Sequence, residues 1–151
     1  MGNRLVPTTS LLGENDIYYV CKYTIQQGKL QDVKALADVM TRDTKKLEPG
    51  TLAYEWHISE DETECHVLQL YESSDALMTH IKGVFHKYKT SVAECLTFQS
   101  LEIYGAASEK VKVEAADAFN DIWDQAKTTY MNRLEGYNRA GRTQNEVQRI
   151  L

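Results

Sequence analysis

Along this chain the spacing of apolar residues switches between about two and about 3.6, and each switch marks a change of element. Ile17 to Ile25 (IYYVCKYTI) is dense in β-branched and aromatic residues and predicts a strand. Gly28 closes it, and the stripe Leu30, Val33, Leu36 or Ala37, Met40 and Leu47 predicts a helix. Pro49 and Gly50 stop that helix, because proline has no N–H for the i−4 bond and disfavours helical geometry in the residue before it. Thr51 to Ile58 and Cys65 to Tyr71 read as two further strands joined through the acidic turn SEDET. Ser73 and Ser74 stand where a helix cap belongs, with Asp75 in the first turn and Leu77, Met78, Ile81 and Val84 or Phe85 spaced for a second helix. Thr97 to Tyr104, ended by Gly105, is a fourth strand.

The order β, α, β, β, α, β predicts an α+β fold of ferredoxin-like plan, an antiparallel sheet with its helices on one face. Beyond it, Ser108 caps an expected long helix with the stripe Val111, Phe119, Ile122 with Trp123, Ala126, Tyr130 and Leu134, and Gly136 to Arg139 (GYNR) is the candidate for a fifth strand. The chain then divides into an extended lead (1–16), a domain (17–139, core 17–105, extension 106–139) and a polar tail (140–151). Ile17, Tyr19, Cys21, Tyr23 and Ile25 share one face of the first strand, while Tyr18 and Val20 lie on the other. Apolar residues on both faces ask for cover on the side without helices. A second copy supplies it through a twofold axis, so a homodimer is expected.

Charge narrows the partners. Seventeen basic and 22 acidic residues give a net charge of −5 with no basic run, which argues against nucleic acid and anionic membrane. No stretch approaches the ~20 apolar residues of a spanning helix, and the N-terminus lacks a signal-peptide core and a myristoylation signal. A soluble, cytoplasmic protein is expected. Three cysteines, Cys21, Cys65 and Cys95, sit in apolar or β-rich runs and suit a reduced compartment.

The proline-glycine turn, Tyr54 and Trp56, the run QLYESSDAL from Gln69 and the helix histidine His80 together resemble the antibiotic biosynthesis monooxygenase family. The resemblance covers residues 17 to about 105, and the chain from Tyr104 to GYNR is similar to an extension of some members. It implies a dimeric α/β barrel. For activity it implies a range: cofactor-free oxidation of phenols, hydroquinones and anthrones, haem degradation, or none known. Gln69 stands where many relatives have glutamate. Haem-degrading relatives pair a strand asparagine with a helix tryptophan and a histidine ten residues on. Here the first strand has no asparagine, His80 takes the tryptophan-like place and Thr90 follows ten residues later, so that activity is not expected.

Cofactor-free oxidation of a phenolic substrate needs a base or hydrogen bond to make the electron-rich phenolate, and a dry pocket for oxygen to react in. His80 is the candidate catalytic base, expected at the polar margin of its helix stripe, with a structural histidine as the alternative. His57 and His66 read as structural. Tyr54 and Trp56 share one strand face, and Gln69 and Tyr71 share one on the partner strand. If Tyr54 pairs near Gln69, the four line one surface that holds a small aromatic molecule, although an aromatic dimer core would use the same residues. No metal is expected, since Cys65 and His66 are adjacent and point to opposite faces. No cofactor is expected either, because no phosphate loop or dinucleotide fingerprint is present. The expected function is a cofactor-independent monooxygenase, with a non-catalytic dimeric binding or structural module as the alternative.

Overall fold

In the computed structural model, which describes residues 13–120 and 127–137, the described residues form nine elements. They are β1 (Ile17–Ile25), α1 (Leu30–Leu47), β2 (Thr51–Ile58), β3 (Glu64–Tyr71), α2 (Ser74–Lys82), α3 (Val84–Cys95), β4 (Leu96–Gly105), α4 (Glu109–Phe119) and β5 (Thr128–Met131). The strands make one sheet in the order β2-β3-β1-β4-β5, and all pairs are antiparallel except β4 with β5. The first four strands follow the ferredoxin-like plan, and the fold is α+β as expected.

Side-chain alternation decides what the sheet buries. Ile17, Tyr19, Cys21 and Tyr23 of β1, with Cys65, Val67, Gln69 and Tyr71 of β3, are buried on the helix side. Val33, Leu36 and Met40 of α1, Leu77 and Ile81 of α2 and Val84, Phe85 and Val92 of α3 complete that core. The opposite face stays open: Tyr18, Leu68, Tyr104 and Met131 are all more than a third exposed.

Two elements differ from the sequence reading. The expected second helix is two helices, because the chain turns at Gly83, whose N–H still bonds Thr79 O (2.8 Å) while α3 starts afresh. A Cβ at Gly83 would lie 2.7 Å from the Thr79 carbonyl oxygen, so the close approach requires glycine there. The long C-terminal helix ends at Phe119. Tyr130, expected on its stripe, lies in β5 opposite Ile103, and Leu134 is 99% exposed. The fifth strand is therefore Thr128–Met131 and not the GYNR segment, where Gly136 and Tyr137 lie outside any strand. The TTYM run is β-branched and aromatic, and pairing with the edge of β4 satisfies backbone groups that a continued helix would leave open there. Ile122, Trp123, Ala126, Asn138 and Arg139 are outside the described residues.

Candidate functional site

The site begins with a residue whose role the sequence reading missed. Pro49 holds Glu48 out of helical geometry at the end of α1 (φ −127°, ψ 76°), and its side chain runs inward instead of into solvent. Glu48 is only 4% exposed, as is His80 in the last turn of α2. Glu48 Oε2 lies 2.8 Å from His80 Nδ1 and accepts a longer bond from the Thr51 hydroxyl at 3.4 Å. Its other oxygen, Oε1, accepts the N–H of Val84 at 3.0 Å. That N–H is free because α3 starts at Val84, where the helix dipole also favours a negative group. A buried carboxylate is thus matched by a helix N-terminus and an imidazole. His80 is not at a polar margin, as its place on the helix stripe predicted. The turn at Gly83 and the Glu48 side chain enclose it.

Three rings surround the His80 imidazole: Tyr54 at 5.4 Å, Tyr71 at 5.7 Å and Phe85 at 6.3 Å between centroids. Tyr54 pairs with Gln69 across the hairpin, so Tyr54, Trp56, Gln69 and Tyr71 lie on one surface, which faces the helices. The Tyr71 hydroxyl donates to Gln69 Oε1. A cavity of about 20 Å³ lies among His80, Gln69, Tyr54, Trp56, Tyr19 and Tyr23, walled on the helix side by Met40, Phe85, Val92 and Phe119. Burial raises the phenols of Tyr19, Tyr23 and Tyr71 well above the usual tyrosine range, so they stay neutral donors. Burial raises Tyr54 as well, and the neighbouring Trp56 indole pulls the other way without closing a hydrogen bond. Trp56 Nε1 is buried and has no hydrogen-bond partner among the described residues. The arrangement offers a base, a buried unmatched donor and a water-excluding aromatic wall.

The remaining candidates lie elsewhere. His57 and His66 are cross-strand neighbours, each beside a glutamate of its own strand (Glu55 at 3.6 Å, Glu64 at 3.7 Å), and neither joins His80. Cys21, Cys65 and Cys95 are buried free thiols, and burial pushes Cys65 up to about 12. Among the described residues no group of three or more His, Cys, Asp or Glu side chains is placed to hold a metal. The acidic turn closes on itself, with Asp61 accepting from Ser59 Oγ and Thr63 Oγ1, both at 2.7 Å. A wide surface groove of about 1280 Å³ runs beside Asp16, Tyr18, Glu72, Tyr104 and residues 131–137. Its lining has no histidine or cysteine. No helix among the described residues is long and apolar enough to cross a membrane.

Comparison with known proteins places this geometry. Among solved structures, MupZ from Pseudomonas fluorescens aligns with a TM-score of 0.67 at 16% identity, covering 85% of this chain and 98% of that one. A conserved protein from Methanosarcina mazei Go1 aligns at 0.56 and 22% identity, over 61% and 93% of the two chains. SnoaB, a cofactor-independent oxygenase from Streptomyces nogalater, aligns at 0.54 and 12% identity, over 62% and 95%. At such identities the likeness speaks for the fold. No curated protein sequence matches the chain. The family model described as antibiotic biosynthesis monooxygenase matches residues 16–87, a stretch that holds Glu48, Tyr54, Trp56, Gln69, Tyr71 and His80. Over residues 16–87 the chain is thus similar to the antibiotic biosynthesis monooxygenase family.

Proposed function

We propose that the protein is a cofactor-independent monooxygenase acting on a phenol or hydroquinone with O₂. The observation that carries this reading is a buried base, His80, held by the Glu48 carboxylate inside an aromatic-walled cavity. His80 takes the substrate hydroxyl proton, Tyr54 and Trp56 stack on the ring, and Gln69 with Tyr71 orients polar substituents. The electron-rich phenolate then reduces O₂ directly. One oxygen atom enters the substrate and the other leaves as water with the two hydrogens the substrate loses, so SH₂ + O₂ gives SO + H₂O and no external reductant is needed. The fold shared with SnoaB, a cofactor-independent oxygenase, supports this reading. Oxygen-electrode assays with a panel of hydroquinones and anthrones test it. Turnover is expected with at least one, falling by about 10² or more in His80→Ala. No oxygen uptake across the panel would overturn it.

One observation favours a second reading, a non-catalytic binding module. A dry cavity of ~150 Å³ is what holds benzene, whereas this one measures about 20 Å³. An aromatic ring therefore needs Tyr54 and Trp56, half-buried on the edge strand β2, to swing outward. Tight binding of a panel compound without oxygen uptake would select that reading. In either case the open sheet face, with Tyr18, Leu68 and Tyr104 exposed, is the surface for a second copy of the chain. The three buried free thiols suit a reducing compartment such as the cytoplasm.

A further inference from the structure

The polar groups around the small cavity can be counted. His80 Nδ1 is taken by Glu48, so Nε2 is the ring nitrogen left for the cavity. A carboxylate only accepts, so Nδ1 carries the proton and Nε2 is a bare acceptor in the neutral ring. Trp56 Nε1–H is a buried donor with no partner among the described residues. Gln69 has its carbonyl oxygen occupied by the Tyr71 hydroxyl, which leaves its amide NH₂ as a second donor. Beside the hydroxyls of Tyr19, Tyr23 and Tyr54, which can donate or accept, these two donors and one acceptor border a cavity of about 20 Å³, room for one oxygen atom. A hydroxyl is the complement of this set, with one hydrogen to donate and two lone pairs to accept with.

We infer that the cavity is a single-hydroxyl recognition site whose polarity is set by Glu48, a positioning residue that fixes the His80 tautomer. The inference rests on the proposed substrate site and deepens it, because it specifies how a phenol differs there from an ether or a hydrocarbon of the same shape. The phenol O–H donates to Nε2 and its oxygen accepts from Trp56 and Gln69. When the proton moves to Nε2, the O–H bond breaks, the N–H bond forms and the electron pair stays on oxygen. The phenolate then faces three donors. The imidazolium faces Glu48.

The two bonds of Glu48 make the consequence of a single substitution definite. In Glu48→Gln the amide oxygen must stay on the Val84 N–H, since an NH₂ there would set donor against donor. The NH₂ therefore takes the Oε2 position and donates to Nδ1, which forces the His80 proton onto Nε2. The cavity acceptor becomes a donor. Histidine-ring ¹⁵N NMR of the neutral form should show Nδ1–H in the wild type and Nε2–H in Glu48→Gln, a change that a loss of packing alone would not produce. The same tautomer in both proteins would overturn the assignment to Glu48.

Phenol and fluorobenzene, close in size but not in the donated hydrogen, are the binding probes. The wild type should bind phenol about tenfold or more tightly than fluorobenzene, and Glu48→Gln should lose that preference. Trp56→Phe keeps an aromatic ring and the Glu48 contacts but removes the N–H together with one ring of the indole, so the readout is relative. It should reduce the preference for phenol over fluorobenzene about fivefold or more, which keeps the inference testable if Glu48→Gln does not fold. Equal affinity of the wild type for the two probes would overturn the hydroxyl site. A tautomer switch with phenol preference in a protein that consumes no oxygen would sink the proposed reaction and leave this inference standing.

Discussion

Replacing Gly83 with alanine sets two opposed effects against each other, and the structure says which is larger. Alanine is the better helix residue and restricts the unfolded chain, a gain of about 0.4–1 kcal/mol. Against this, the new Cβ would lie 2.7 Å from the Thr79 carbonyl oxygen and 3.1 Å from Glu48 Oε1. The Thr79 oxygen is backbone, so relief requires the last turn of α2 to open, at about 1–3 kcal/mol for a forced insertion. The second contact pushes Glu48 off the Val84 N–H, and a hydrogen bond to a charged group contributes about 1.5–3 kcal/mol. The net expectation is a loss of about 2–5 kcal/mol, or roughly 4–20 °C in Tm for a domain of this size. Urea titration followed by circular dichroism measures it, with Gly28→Ala as the comparison. Gly28 has φ +77° and nothing within 4 Å of its would-be Cβ, so that variant costs only the left-handed backbone, about 1–2 kcal/mol. A Gly83→Ala protein as stable as the wild type would refute the close approach that seats Glu48.

Two further outcomes follow from the open face and the buried thiols. Leu68→Lys places a charge at the exposed centre of the sheet, beside β1 and β2, and should convert the expected homodimer to monomer in sedimentation velocity without loss of helix content; a wild type that is already monomeric at micromolar concentration would remove the twofold argument. Burial raises all three thiols, Cys65 to about 12, so at pH 8 only ~10⁻⁴ of that side chain is thiolate, the reactive form. Labelling of the native protein by a disulfide reagent should be slow and rise about tenfold per pH unit, whereas denaturant should release three thiols at once; rapid labelling of the native chain would contradict the burial.

The hairpin was the most legible part of this sequence because its information is local. Alternation in Thr51–Ile58 and Cys65–Tyr71 fixed which side chains share a face, and the observed pairing of Tyr54 with Gln69 brings the four predicted residues onto one surface. The face itself was not legible, since aromatic residues suit a dimer core and a pocket equally; only the helices, packed over Tyr19 and Tyr71, settle it. The fifth strand was misplaced for a related reason. A stripe reaching Tyr130 satisfies a helical period, but periodicity is silent about the free edge of β4, which competes for the same residues.

Glu48 shows where reading from sequence stops. A carboxylate next to a helix-ending proline has every local sign of a solvated cap, and the two groups that justify its burial lie 32 and 36 residues further on. Neither would be available without the turn at Gly83, which frees the Val84 N–H and closes the last turn of α2 over His80. His80 alone is an ambiguous histidine. With Glu48 on one ring nitrogen, Gln69 and Trp56 lining the same cavity, and four elements holding them, its other ring nitrogen is the proposed acceptor for one hydroxyl. The chemistry of the site therefore belongs to the convergence of α1, β2, β3 and α2, and no single segment of the chain contains it.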